Sequence, residues 1–291
     1  MIQGSLNSQM KRDNLLLCTD LDRTIIPNGY QPEHPEAREQ FRQLCALPEI
    51  TLVYVTGRHQ QLVRQAIEQY ALPSPDFAIT DVGTRIYRLD QTEWHELLPW
   101  QEQIAADWRG KTHHQLQRAL SSNQELQLQE QSKQNDFKLS YYLPLDAERE
   151  KILKQVEQQL IELDVAASLI WSIDEAEQIG LLDVLPRNAT KLHGIEFLQH
   201  QLGYPREQLL FAGDSGNDLQ VLASPIRSIL VANAEQQIKQ QAQQLAEQND
   251  CLESLYLAQQ NSFPLGGNYS AGVLQGVVFF NPEIGAKLKL S

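Results

Sequence analysis

Five short, predominantly apolar runs punctuate the chain, at residues 15–18, 50–55, 77–80, 209–212 and 228–231. Each has the length of a strand and little polar alternation, the mark of a strand buried on both faces. Stretches of helical periodicity at 35–44 and 61–70 separate the first three runs, and helical sequence also adjoins the last two. Buried strands alternating with helices predict βαβ units and a doubly wound parallel sheet.

The middle of the chain follows a different pattern. Residues 85–88 and 137–143 alternate apolar and polar positions, as half-buried antiparallel strands do, and 165–173 and 180–185 read as two more strands. Helical stretches at 101–120 and 147–160 intervene. The pattern predicts a second α/β module over 85–185, inserted into a core formed by 12–84 and 186–291. All four tryptophans, Trp94, Trp100, Trp108 and Trp171, fall in the insert and are expected to fill its core. Residues 1–11 are expected to be a loose tail. In the glutamine-rich stretch 236–248, Ile238, Ala242 and Leu245 keep helical spacing, so a surface helix is expected there.

Composition narrows the function classes. The 291 residues carry 24 Lys+Arg against 37 Asp+Glu, a formal charge of -13. That balance excludes a binder of nucleic-acid backbone, which needs a clustered basic surface. A small anionic substrate would need local cations or a metal ion to offset repulsion. Cys18, Cys45 and Cys251 are too few and too scattered for a disulfide framework, which points to a reducing, cytoplasmic setting. The start of the chain lacks the apolar region of a secretory signal. The apolar run 271–280 is interrupted by Gln275 and falls short of the roughly 20 residues of a membrane span, so no membrane role is expected.

Candidate chemistry clusters at the ends of the buried strands. Asp20-Leu21-Asp22-Arg23-Thr24 follows the first strand, and residues two apart in extended backbone face one side. One carboxylate of such a pair can act as nucleophile while the other handles protons; the alternative is a pair of turn carboxylates. Thr56-Gly57-Arg58 follows the second strand, where a hydroxyl and backbone amides suit a phosphate oxygen. Gly213-Asp214-Ser215-Gly216-Asn217-Asp218 follows a later strand, with acidic oxygens that suit a hard cation such as Mg²⁺. Lys191 opens a helix carrying Leu192, Ile195, Leu198 and Leu202. It reads either as a phosphoryl clamp or as a surface lysine.

The order of these four segments, with the insert between the second and third, resembles the haloacid dehalogenase superfamily of aspartyl-phosphate phosphatases, in the subgroup with an α/β cap of the second type. Thr80-Asp81-Val82-Gly83-Thr84-Arg85-Ile86-Tyr87, the cap segment Gln134-Asn135-Asp136-Phe137-Lys138-Leu139-Ser140-Tyr141, and Asp183-Val184-Leu185-Pro186 further resemble the sucrose-6-phosphate phosphatase family. The sequence departs from that family at Arg23, where relatives often carry a smaller or uncharged residue, and at His59-Gln60-Gln61. Gly266-Gly267-Asn268-Tyr269 looks more like other branches, including phosphatases of mannosylfructose phosphate.

The resemblance implies a Rossmann-like core with an inserted cap, and a Mg²⁺-dependent phosphatase acting on a sugar phosphate, sucrose 6-phosphate foremost. Asp20 would be the nucleophile and Asp22 the general acid and base. The metal would be held by Asp20, the Asp22 backbone carbonyl and Asp214, with Asp218 orienting the shell. Thr56, Gly57, Lys191 and Asn217 would hold phosphate. Gln134, Asn135 and Lys138 of the cap, together with Arg58, are the candidates for the sugar. Other readings are a phosphatase for mannosylfructose phosphate or mannosyl-3-phosphoglycerate, and a non-catalytic sugar-phosphate module of a glycosyltransferase system. The resemblance also allows association with a sugar-phosphate synthase.

Overall fold

The computed structural model describes residues 14–91, 93–174 and 177–290, so the expected tail at 1–11 lies outside the described residues. The first half of the large sheet is built from β1 (Leu15–Thr19), α1 (Ala37–Cys45), β2 (Ile50–Val55), α2 (Gln60–Gln69) and β3 (Phe77–Thr80). An antiparallel hairpin, β4 (Arg85–Asp90) and β5 (Glu93–Glu96), follows, then α3 (Leu98–Ala105) and α4 (His113–Leu120). The smaller module comprises β6 (Gln127–Leu128), β7 (Leu139–Leu143), α5 (Arg149–Glu162), β8 (Ala167–Asp174) and β9 (Ile179–Pro186). The chain returns through α6 (Lys191–Leu202), β10 (Leu209–Gly213), α7 (Leu219–Leu222), β11 (Arg227–Leu230), α8 (Gln236–Gln248) and β12 (Leu255–Leu257). It ends in α9 (Ser270–Phe280) and α10 (Pro282–Lys287).

The large sheet has the order β12-β11-β10-β1-β2-β3-β4-β5, with every pair from β12 to β3 parallel. Strand β1 shows why the run at 15–18 lacks alternation. Leu15 and Leu17 pack with Phe41 of α1 and Leu274 of α9 on one face, whereas Leu16 and Cys18 pack with Ile195 of α6 and Val221 of α7 on the other. Both faces are thus removed from water, and polar residues have no exposed side to occupy. Helix α9 is buried along most of its length, which explains an apolar run too short for a bilayer. Among the described residues no helix is long and apolar enough to cross a membrane.

The small sheet has the order β6-β7-β9-β8, antiparallel throughout. Leu116 and Leu120 of α4 and Ile152 and Val156 of α5 pack with Leu139, Tyr141 and Val184. The fold is therefore a Rossmann-like α/β core with an α/β cap.

The structure departs from the sequence pattern at the leading edge of the cap. Strand β4 pairs with β3 and β5 pairs with β4, so both extend the large sheet. The helix expected over 101–120 is two helices: Arg109 (φ 46°) and Gly110 (φ 77°) reverse the chain, and Thr112 starts α4 with a capping box to Gln115. The break assigns α3 to the core, where Trp100 and Ile104 are buried, and α4 to the cap. The tryptophans divide accordingly. Trp108 and Trp171 pack in the cap, whereas Trp100 and Trp94 pack against the two faces of the large sheet.

Entry to the cap region is conformationally expensive. Asp81, Val82 and Gly83 have φ values of 51°, 60° and 96°, and a β-branched residue in the left-handed region is strained. Gly83 lies against the returning chain: a Cβ there would sit 2.8 Å from the carbonyl carbon of Thr190. A Gly83→Ala variant is expected to lose about 2–4 kcal/mol of stability, read as a lower denaturation midpoint in urea at unchanged slope.

Candidate active site

Parallel pairing brings the strand ends together. Thr19 pairs with Tyr54 of β2 and with Ala212 of β10, so the residues that follow these strands emerge on one edge of the sheet. In open α/β sheets that edge is where ligands bind. Asp20 follows β1, Thr56 follows β2 and Asp214 follows β10. Thr190 caps α6 by accepting from the His193 amide at 3.2 Å, which presents Lys191 at the helix start.

Lys191 organises the site. Its Nζ donates to Asp20 Oδ1 at 2.9 Å, Asp218 Oδ1 at 2.7 Å and Asn217 Oδ1 at 2.9 Å, with the side chain only 3 % exposed. Asp218 is fully buried, and its Oδ2 accepts from the amides of Asp214 at 3.0 Å and Ser215 at 3.1 Å. It therefore serves both as a brace for the turn and as an anchor for the lysine. Thr24 Oγ1 lies 3.5 Å from Asp20 Oδ2 and from Asp214 Oδ1. The expected surface alternative for Lys191 does not hold, because its charge is buried and fully partnered.

Asp20, Asp214 and Asp218 each offer a carboxylate oxygen within 4.8 Å of the others. An oxygen-only donor set with more negative charge than Lys191 alone can offset fits a hard divalent cation such as Mg²⁺. Burial pushes the Asp20 carboxyl above its ordinary value, against the opposing charge of Lys191. Burial, reinforced by Asp20 and Asp218, pushes Asp214 up to about 8. Lys191 is raised despite its burial, because Asp20 and Asp218 stabilise its charge.

Asp22 stands apart from the cluster. Its carboxylate accepts from Arg58 Nε at 2.8 Å and Nη2 at 2.6 Å, and from Asn28 Nδ2 at 2.8 Å. Partial burial would raise its pKa, but the Arg58 and Asn28 hydrogen bonds and the Arg58 charge outweigh it and hold the carboxyl low. Thr56 is buried, and its Oγ1 accepts from the Arg58 amide at 3.2 Å, with Gly57 exposed in the turn between them.

The remaining candidates are not equivalent. Gln134 donates to the carbonyls of Gln129 (3.0 Å) and Ser140 (2.9 Å) and accepts from the Ser140 amide at 2.8 Å, so its amide ties the cap loop to β7. Asn135 donates to Thr84 Oγ1 at 2.9 Å and thereby bridges cap and core. Lys138 Nζ lies 3.9 Å from Asp183 Oδ2, and the Ser140 hydroxyl donates to the same carboxylate. Sequence reasoning left out Asn28, Thr24 and the buried Asp81. Burial raises Asp81, partly offset by the charge of Lys138. Thr24, in the Asp20–Thr24 segment, and Asp81, in the Thr80–Tyr87 segment, lay within sequence motifs, whereas Asn28 carried no sequence signal.

Fold and site together define a phosphoryl-transfer enzyme of the haloacid dehalogenase type. Within that class, the chain belongs to the sucrose-6F-phosphate phosphohydrolase family, which matches residues 13–281 and comprises sugar-phosphate phosphatases. It is 46 % identical to a Nitrosococcus oceani protein named only for its likeness to HAD-like hydrolases, over 94 % of this chain and 73 % of that one. It is 28 % identical to the mannosylfructose-phosphate phosphatase of Agrobacterium fabrum, over 75 % and 83 %. The structure of a Synechocystis sp. PCC6803 sucrose-phosphatase with sucrose and phosphate superimposes with a TM-score of 0.70 at 25 % identity, covering 92 % and 98 %. The chain spans about half the length of the plant sucrose-phosphatases it matches.

Two outcomes follow from the site. Lys191→Met leaves buried carboxylates without their cation, and is expected to cost about 3–5 kcal/mol in denaturant unfolding of the metal-free protein. For Asp214 the folded value of about 8 lies above the ordinary 3.8, so between these values the folded protein holds a proton the unfolded chain releases. Stability of metal-free protein therefore falls as pH rises through that window. Thermal melts in chelator from pH 5 to 9 should show a shallower decline for Asp214→Asn than for the parent; parallel curves would contradict it.

Proposed function

We propose that this chain is a Mg²⁺-dependent phosphatase that hydrolyses a sugar-phosphate monoester through an aspartyl-phosphate on Asp20, with sucrose 6-phosphate its first-choice substrate. The observation that carries the reading is the buried convergence of Lys191, Asp20, Asp214 and Asp218 at the strand ends. Asp20 attacks phosphorus while Lys191, the Thr56 hydroxyl, the Gly57 amide and Asn217 hold phosphoryl oxygens. That divides one difficult displacement into two easier ones. Mg²⁺, held by Asp20 and Asp214 with Asp218 orienting them, would supply positive charge against the phosphoryl oxygens.

Asp22 protonates the departing sugar oxygen and then takes the proton from the water that attacks phospho-Asp20. In the ligand-free conformation Arg58 keeps Asp22 ionised, so Asp22 becomes an acid only when Arg58 is drawn away. An incoming phosphate dianion is a suitable competitor for that guanidinium. The module from α4 to β9 acts as the cap, with Lys138 and Asn135 facing the sugar. Gln134 supports them from behind, because its amide is already committed. The unpaired cysteines Cys18, Cys45 and Cys251 support a cytoplasmic setting.

Mannosylfructose phosphate is the second substrate reading, favoured by the Agrobacterium fabrum relative, most of whose length this chain covers. A non-catalytic module fits less well, since Asp20, Asp22, Lys191, Asp214 and Asp218 are all present in the sequence. Phosphate release should be measured with and without Mg²⁺ on sucrose 6-phosphate, mannosylfructose phosphate and mannosyl-3-phosphoglycerate. Release is expected with the metal only, and Asp20→Asn should lower kcat by at least about 10³-fold. Folded protein that releases phosphate from none of the three would overturn the reading.

A further inference from the structure

We propose that Arg23 is a resident counter-cation of the metal pocket, which weakens divalent-cation binding and transfers to Glu235 when a metal enters. The inference rests on the phosphatase reading above. Arg23 follows Asp22, and its backbone is held in the left-handed region at φ 58°. Its amide lies 2.9 Å from Asn28 Oδ1 and 3.0 Å from the Ile26 carbonyl, and its carbonyl accepts from Asn233 Nδ2 at 2.6 Å. The backbone is thus fixed on both sides of Cα, which directs the side chain toward Asp214.

There the guanidinium spans two carboxylates of different character. Nε lies 3.3 Å from Asp214 Oδ2, which is buried, and Nη1 lies 3.4 Å from Glu235 Oε1, whose side chain is 66 % exposed. The contact to Asp214 is an ion pair by distance only: Nε is itself buried and makes no aligned hydrogen bond. Lys191, in contrast, is held by three short hydrogen bonds. Of these two cations beside the carboxylates, Arg23 is the one held by a single misaligned contact and provided with a second partner. Glu235 stands at the N-terminal cap of α8.

Electrostatics gives this arrangement a direction. Without a metal, the Arg23 guanidinium supplies positive charge beside Asp214. A divalent ion bound by Asp214 places two more positive charges beside the guanidinium, which the weak Nε contact cannot withstand. Glu235 then receives the arginine, so the metal competes with Arg23 for Asp214, and Glu235 lessens the cost of that competition.

The test is Mn²⁺ binding without substrate, followed by electron paramagnetic resonance and by calorimetry, on the full chain. Arg23→Gln should bind Mn²⁺ about tenfold more tightly than the parent, and Arg23→Lys, which keeps the charge, should stay within about threefold of it. Glu235→Gln should bind about threefold more weakly, and this loss should vanish in the Arg23→Gln/Glu235→Gln double variant. Equal Mn²⁺ affinity in the parent and Arg23→Gln, or a Glu235 effect that persists without Arg23, would overturn the proposal alone. A folded parent that binds no Mn²⁺ at all would instead overturn the phosphatase reading and this proposal with it.

Discussion

A single buried lysine among carboxylates is the constraint around which this edge of the sheet is arranged. Lys191 donates to Asp20 at the end of β1, and to Asn217 and Asp218 in the turn after β10, so it joins two different strand–loop units of the sheet. Its charge would be costly to bury without these partners, and the partners would be costly to bury without it. The turn after β10, the start of α6 and the end of β1 must therefore come together or leave a charge uncompensated. Burial, reinforced by the neighbouring carboxylates, raises the Asp20 and Asp214 carboxyls even with Lys191 in place. An oxygen-only cluster of this kind suits a hard divalent cation.

The second carboxylate of the Asp20–Thr24 segment is treated differently. Asp22 is removed from the lysine cluster by Arg58 and Asn28, so two aspartates two residues apart occupy opposite electrostatic environments. One is raised by burial and the other is lowered by a guanidinium. Separate environments are the usual means by which paired carboxylates acquire separate roles. The cap approaches the same region through polar contacts, Asn135 to Thr84 and Asp136 to Arg85, the latter at 3.5 Å. Phe137 of the same segment adds an apolar contact, packing against both the core and the cap clusters.

Much of the candidate site's placement was legible because its residues follow buried strands at fixed positions. Apolar runs ending in Asp20, Thr56 and Asp214 can be read directly, and parallel pairing does the rest. The role of Gln134 was not legible: a glutamine in a polar loop looks free to bind a sugar, whereas its amide is spent on Gln129 and Ser140. The break between α3 and α4 carried a readable signal in Gly110 and Thr112, but continuous helical periodicity on both sides obscured it. Strand β4 looked like part of the insert because alternation reveals a half-buried strand without revealing which sheet it joins.

The sequence by itself determined the alternation of buried strands and helices, the inserted module and the identity of the acidic and basic groups at the strand ends. These are local properties, since strand burial and turn chemistry are written in consecutive residues. Tertiary structure alone decided which of those groups share a charge. Lys191 reaches Asp20 across 171 positions, Arg23 reaches Glu235 across 212, and Arg58 reaches Asp22 across 36. Electrostatic partnership depends on distances of a few ångströms, and those distances are set by sheet register and loop closure over the whole chain.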